Sequence, residues 1–243
     1  MKDRPDWTAA QITEAHSALA DQGAEEILRW AVRTFYPRLT MATAFGPEGC
    51  ILIHLLAEIE PRVHIFNLDT GYQFPETLAL RDRLQERYGV HIELVQPDLT
   101  VEDYERQHGG PLYQRRSDQC CHDRKIVPLR RTLADKEAWI TAIRAEQSVH
   151  RQSAQVVMWD AKFNLVKINP LLHWTKRDVW NFILKHEVPY NPLHDRGYPS
   201  IGCWPCTQAV ESGQDERAGR WAGTAKKECG LHTLPLVEAP MTT

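Results

Sequence analysis

The sequence predicts an α/β fold: a mostly parallel open sheet flanked by helices, with a flexible C-terminal tail. Three features of its 243 residues carry that expectation. Short apolar runs alternate with longer helical stretches in the order β-α-β-α-β-α-β, the pattern of parallel strands joined by crossover helices. The first two runs stop at turn residues, Gly46-Pro47 and Asp69-Thr70-Gly71. From Glu187 onward Pro and Gly dominate, so little regular structure is expected there.

The first 36 residues read as helical, with Ile12, Ala15, Leu19 and then Ile27, Leu28, Val32 at helical spacing and Gly23 as a break. Residues 39–45 make a short buried strand. Residues 50–59 make a helix packed on the sheet, and Pro47 suits a first helical turn, where its missing N–H costs nothing. A second strand covers 62–68, a helix 75–88 and a third strand 91–95. Residues 101–108 read as a short helix before the Gly109-Gly110-Pro111 break. Ile126, Leu129 and Leu133 give 121–133 a helical period, against which Pro128 argues. A fourth strand follows over 138–143. Residues 156–159 and 165–168 form a hairpin, or a fifth strand with an extension, around a turn at 160–164. Helix 175–186 is marked by Thr175 as cap, Asp178 three residues on, and an apolar face of Val179, Phe182 and Ile183. A last short helix is expected near 207–212. The chain thus divides into an N-terminal helical segment (1–36), an α/β domain (37–212) and a C-terminal tail (213–243).

Hydrophobic content of 42% and charged content of 25% are ordinary for a globular protein. A net charge of −3 gives no whole-molecule attraction to nucleic acid or acidic membranes, so an anionic ligand must be met by local Arg and Lys. No stretch approaches a membrane span, and Met1-Lys2-Asp3-Arg4-Pro5-Asp6-Trp7 lacks the apolar core of a secretory signal. The expected location is the cytoplasm, where clustered cysteines more often mean metal or catalysis than disulfides.

Five of the six cysteines fall into a pattern. Cys120 and Cys121 are adjacent, Cys203 and Cys206 form a C-x-x-C, and Cys229 stands near the C-terminus in Lys226-Lys227-Glu228-Cys229-Gly230-Leu231-His232. Zinc sites usually draw on knuckles from both sides, which an adjacent pair cannot form. A cubane iron–sulfur cluster accepts adjacent cysteines on different irons and is the favoured reading; zinc and incidental burial remain open. Cys229, among cations, suits a nucleophilic thiolate, with Arg217 and Arg220 adding anion-binding capacity; a basic tail with a spare thiol is the alternative. Cys50, alone in an apolar helix, reads as core. The strand–loop–helix at 40–51 offers a helix N-terminus at the carboxyl edge of the sheet, the natural place for a nucleotide anion. It is not a Walker A loop, and Glu48 argues against a triphosphate there; an ordinary turn is equally compatible. Asn67-Leu68-Asp69-Thr70-Gly71 closes the second strand at the same edge, where its backbone and the Thr70 hydroxyl could hold a base and ribose, or simply turn.

Together, Cys120-Cys121-x-x-Arg124-Lys125, Cys203-x-x-Cys206, Lys227-Glu228-Cys229-Gly230-Leu231-His232, Leu68-Asp69-Thr70-Gly71 and Trp139-Ile140-Thr141-x-x-Arg144-x-x-Gln147-Ser148 resemble the assimilatory sulfonucleotide reductases. Within that family the resemblance is to the iron–sulfur branch that uses adenosine 5′-phosphosulfate (APS), close to reductases of 3′-phosphoadenosine 5′-phosphosulfate (PAPS). It runs from about the first strand to Cys229. The resemblance implies a Rossmann-like, adenine nucleotide α-hydrolase fold with a modified pyrophosphate loop, here Thr43-Ala44-Phe45-Gly46-Pro47-Glu48-Gly49 in place of Ser-Gly-Gly-x-Asp-Ser. It also implies a [4Fe–4S] cluster on Cys120, Cys121, Cys203 and Cys206, and Cys229 as the catalytic nucleophile. Leu68, Thr70 and Gly71 would line the adenosine pocket, with Phe45 and Gly46 of the loop also touching substrate. Lys125, Arg144, Arg217, Arg220 and His232 would surround the phosphate–sulfate. Thioredoxin or glutaredoxin would supply electrons; nucleic acid and membrane are not expected partners, and a homo-oligomer stays open. Three alternatives remain: the same reaction on PAPS, an ATP-dependent adenylating or thiolating enzyme of the pyrophosphate-loop superfold, and a zinc-stabilised nucleotide-binding module without catalysis. The degenerate loop and the Cys229 tail speak against the adenylating enzyme.

Overall fold

The structure, a computed structural model, describes residues 7–211, 213–226 and 228–232. The apolar runs become strands β1 (Leu39–Thr43), β2 (His64–Leu68), β3 (Ile92–Val95), β4 (Ala138–Ile140), β5 (Val157–Asp160) and β6 (Leu165–Ile168). They form one sheet of order β3-β2-β1-β4-β6-β5, parallel throughout except for β5, which pairs antiparallel with β6. The helices are α1 (Ala9–Leu19), α2 (Ala24–Phe35), α3 (Pro47–Ile59), α4 (Pro75–Tyr88), α5 (Val101–His108), α6 (Leu112–Arg115), α7 (Ser117–Cys121), α8 (Val127–Thr132) and α9 (Lys176–His186). Among the described residues no helix is long and apolar enough to cross a membrane.

The chain runs outward through β1, β2 and β3, then returns to place β4 on the other side of β1. This reversal opens a crevice beyond the carboxyl ends of β1 and β4, where ligands bind in open α/β sheets. Both faces of the central strands are covered, which is why β1 and β6 are buried along almost their whole length. Leu28, Leu39, Met41, Ile51, Leu52, Leu56, Ile140 and Ile168 belong to one core, which also takes in Ile12 and Leu19 of α1. By packing on β5, α1 covers a strand edge that would otherwise be free to pair.

Several boundaries differ from expectation for local reasons. β1 ends at Thr43 because Phe45 turns into the left-handed region (φ 56°), its N–H held by the Thr43 hydroxyl at 3.0 Å. Helix α3 accordingly starts at Pro47. β4 stops at Ile140, leaving Ala142 and Ile143 to line the crevice. The expected helix at 121–133 forms in spite of Pro128. A π turn (His122–Ile126), closed by the Val127 N–H on the His122 carbonyl, shifts the hydrogen-bond register just before the proline. No helix forms at 207–211, and Ser212 lies outside the described residues. Instead Thr207 bridges Arg220, and the Gln208 N–H bonds the Gly219 carbonyl at 2.9 Å. Gly219 is required there, since a Cβ would lie 2.1 Å from the Gln208 carbonyl oxygen.

The turn after β1 depends on a close approach of strand and helix: a Cβ on Gly49 would stand 2.6 Å from Thr43 Oγ1. Gly49→Ala is expected to destabilise the fold by about 1–3 kcal/mol, the usual cost of overpacking. The midpoint of urea unfolding should fall, and adding Thr43→Ala, which removes the clashing oxygen, should restore part of the loss.

Candidate active site

A cavity of about 640 Å³ occupies the crevice, roomy enough for a nucleotide. The turn after β1 contributes Ala44, Gly46 and Glu48, the end of β2 contributes Leu68 and Thr70, and the chain after β4 contributes Ile143 and Arg144. The tail closes it with Arg217, Arg220, Cys229 and His232, and Lys125 enters from the π turn. Eight of the ten expected substrate residues therefore meet: Gly46, Leu68, Thr70, Lys125, Arg144, Arg217, Arg220 and His232. Phe45 and Gly71 do not line it. The Phe45 side chain is in the core, and Gly71 (φ 75°) makes a turn in which a Cβ would meet Val101 at 2.5 Å.

The charges fall into two groups, joined through Gln147, which also accepts from Arg151. In one, the buried Arg144 guanidinium reaches Glu48 Oε1 at 2.6 Å, Glu216 Oε2 at 3.3 Å, and Glu146. Gln147 also donates to Glu48 at 3.0 Å. Arg144 thus faces the cavity with its charge already balanced by protein carboxylates.

In the other group Arg151, Lys162, Lys167 and Arg217 gather around His232. Nothing in the sequence pattern had singled out Arg151, Lys162 or Lys167. Burial, then these four cations, push the His232 imidazole well below its ordinary pKa, and the neutral ring stacks on Trp139 (centroids 5.7 Å, interplanar 20°). Burial also lowers Lys167 to about 8, with Asp160 opposing the shift and the Trp139 ring 5.4 Å from Nζ.

Cys229 is a free thiol in this cationic region. Burial pushes its pKa up, but the charge of Lys125, the Leu231 N–H and Arg220 outweigh it and hold the thiol below its ordinary value. Of the two lysines that precede it in the motif, Lys227 lies outside the described residues, as do residues 233–243 of the tail. Lys226 ties the tail to α7, with Nζ 2.9 Å from both the Ser117 carbonyl and Asp118.

Cys120, Cys121, Cys203 and Cys206 all line a second, small cavity behind the first, and Thr70, Lys125, Cys203 and Arg220 border both. Burial, followed by the charges of Cys121, Cys203 and Cys206, pushes Cys120 up to about 12. Among the described residues no three His, Cys, Asp or Glu side chains converge as ligands of a single ion. Thr70 Oγ1 lies 3.2 Å from Cys203 Sγ. Arg124, quoted in the motif without a role, braces this wall: Nε donates to the Thr70 carbonyl at 2.6 Å and Nη1 to the Leu99 carbonyl at 3.2 Å. Its guanidinium lies over the Tyr72 and Tyr104 rings at 5.5 and 5.0 Å.

An open α/β sheet with a nucleotide-sized cleft at its switch point, and a lowered-pKa thiol among cations, defines a nucleotide-binding protein equipped for thiol chemistry. The sequence profile described as the phosphoadenosine phosphosulfate reductase domain matches residues 38–209, and the chain belongs to that family. It is 41% identical over 230 residues to an adenosine 5′-phosphosulfate reductase of Salinibacter ruber, covering 94% of this chain and 91% of the relative. It is 46% identical over 237 residues to a phosphoadenosine 5′-phosphosulfate reductase of Gloeobacter violaceus, covering 96% and 98%. Among solved structures, the phosphoadenylyl-sulfate (PAPS) reductase from Candida auris in its phosphate complex superposes with TM-score 0.74 at 30% identity, covering 84% of this chain and 98% of the other. The FMN adenylyltransferase of Candida glabrata shares the fold at TM-score 0.56 and 16% identity, covering 84% and 67%.

His194 lines the cleft, and burial lowers its pKa from 6.5 to about 4. As pH falls through 6.5 the unfolded imidazole takes a proton that the folded one refuses until about 4. Stability contributed by the neutral ring is therefore full above pH 6.5 and lost progressively down to 4. Urea midpoints measured across that window should fall for the wild type and fall less steeply for His194→Gln.

Proposed function

We propose that this chain reduces adenosine 5′-phosphosulfate to sulfite and AMP in sulfate assimilation, in the cytoplasm, with Cys229 as nucleophile. The observation that carries the reading is the Cys229 thiol, lowered in pKa by Lys125 and Arg220, facing a nucleotide-sized cleft. Relatives named for this activity on APS or PAPS, at 41% and 46% identity over most of the chain, support the reaction class. The α/β domain (37–212) would hold nucleotide and metal, and the tail (213–243) would deliver the thiol.

The Cys229 thiolate attacks the sulfur of the sulfate group. The bond from that sulfur to the bridging phosphate oxygen breaks, AMP leaves with the electron pair, and Cys229 carries an S-sulfonate. A thiolate of thioredoxin or glutaredoxin then attacks Cys229 Sγ, and sulfite departs with the pair of the sulfur–sulfur bond. The second thiol of the reductant resolves the mixed disulfide and restores Cys229. Thiolate and substrate are both anionic, so cations must offset charge in the approach and on the departing phosphate. Lys125 and Arg220, whose charges lower the thiol, would do this. Leu68 and Thr70 would hold the nucleoside at the end of β2, with Gly46 at the turn after β1. Neutral His232 would offer a hydrogen bond to the sulfate without adding charge.

The residues fit an iron–sulfur cluster. Four thiols ring one small cavity, and at Cys120 burial, then the charges of Cys121, Cys203 and Cys206, oppose the ionisation that a cationic metal would favour. Ringing a cavity suits a polynuclear centre with one cysteine per iron. Cys120, Cys121, Cys203 and Cys206 would hold a [4Fe–4S] group, which would supply a local electrostatic field at this wall. The residues at this wall do the rest: Lys125 spans both cavities, and Arg124 fixes the Thr70 turn against Cys203.

Protein purified anaerobically should carry about four iron and four sulfide per chain, and Cys203→Ser should lose both. Stoichiometric zinc without acid-labile sulfide would overturn the cluster assignment. Incubation with APS and no reductant should leave a sulfonate adduct on Cys229, seen by peptide mass spectrometry and discharged by reduced thioredoxin. Cys229→Ser should retain nucleotide binding and release no sulfite, because the thiol contributes nucleophilicity and not scaffold. Assaying APS and PAPS side by side decides the substrate; turnover of PAPS alone would replace the APS reading.

A further inference from the structure

Glu228, next to Cys229, has a side chain only 5% exposed. Its carboxylate lies 3.3 Å from Arg151 Nε and 3.1 Å from Arg217 Nη2, and it accepts the Ser148 hydroxyl at 3.2 Å. Ser148 and Arg151 belong to the short turns after β4, so the bond crosses from the tail to the body of the sheet. On the other side of Cys229, Lys162 donates to the Gly230 carbonyl. The reactive thiol therefore sits between two polar clamps, and only one of them is made by a tail side chain.

We propose that Glu228 is a positioning residue: its carboxylate docks on Arg151 and Ser148 of the turns after β4, with Arg217 of the tail itself as a second cation, and ties the Cys229 segment to the body of the fold. The inference rests on the reading of Cys229 as the nucleophile. A buried carboxylate shared by two guanidiniums is strongly held, whereas a buried guanidinium that loses its partner is costly, so the contact favours one seated position of the tail. Arg151 and Arg217 hold the carboxylate, while Lys125 and Arg220 are the cations that lower the thiol most. An amide at 228 keeps the size of the side chain and loses the charge, and a shortened carboxylate keeps the charge.

Hydrogen exchange of peptides spanning residues 222–232, measured on the metal-loaded full chain without nucleotide, reads tail docking directly. Glu228→Gln should speed that exchange by about tenfold or more, the effect of losing a charge-assisted bond. Glu228→Asp should fall between it and the wild type. Arg151→Gln should match Glu228→Gln, and the double variant should exchange no faster than either single one. In single turnover with APS, adduct formation should slow by a similar factor in Glu228→Gln, while AMP binds at least as tightly because a negative charge has left the cleft. Unchanged exchange in Glu228→Gln, additive single effects, or weakened AMP binding with the tail still protected would each overturn the proposal. If the wild type forms no adduct with APS, the proposed activity fails, and the exchange result still decides the docking role.

Discussion

Collecting Lys125, Arg151, Lys162, Lys167, Arg217 and Arg220 about one cleft opposes Coulomb repulsion at every pair, and much of the surrounding structure exists to hold them there. They are carried on different supports: a π turn, the turns after β4, the β5–β6 hairpin, strand β6 and the tail. Carboxylates offset part of the repulsion, Glu228 for two arginines and Asp160 for Lys167. Indole faces take more of it. Trp139 lies beneath Lys167, and Trp221 carries Arg220 at 4.5 Å, Lys226 at 5.2 Å and Arg217 at 6.0 Å. The two tryptophans are as much a part of the cationic cluster as the charges they support.

The parallel sheet was legible because strands buried on both faces read as continuous apolar runs, and Asp69-Thr70-Gly71 marked where one of them had to stop. Pro128 misled because its effect depends on what precedes it: the π turn had already displaced the bond that proline would have broken. The expected helix near 207–212 failed for a tertiary reason, the pairing of that segment with residues 219 and 220.

In the site, the cysteines and Cys229 announced themselves by spacing and neighbours. Arg144 was also conspicuous, but its assignment to the substrate could not foresee that Glu48, 96 positions away, and Glu216, 72 positions away, would converge on it. Lys167 gave no signal at all, since a lysine in a strand ordinarily points to water. Only the antiparallel hairpin and Trp139 reveal why it is buried. Glu228 was visible as part of a motif, yet its partners Ser148 and Arg151 are distant in sequence.

Arg220 pairs through its backbone with Thr207, the residue after Cys206, and its guanidinium fills the space that a side chain at Gly202 would need. The cation beside the reactive thiol and the two-cysteine turn are therefore one mechanical piece. Displacing the turn would withdraw positive charge from the cleft in the same movement. A chain whose cysteine turn had come adrift would lose the guanidinium from beside the thiol at the same moment, so damage at the rear cavity would be felt at the front one.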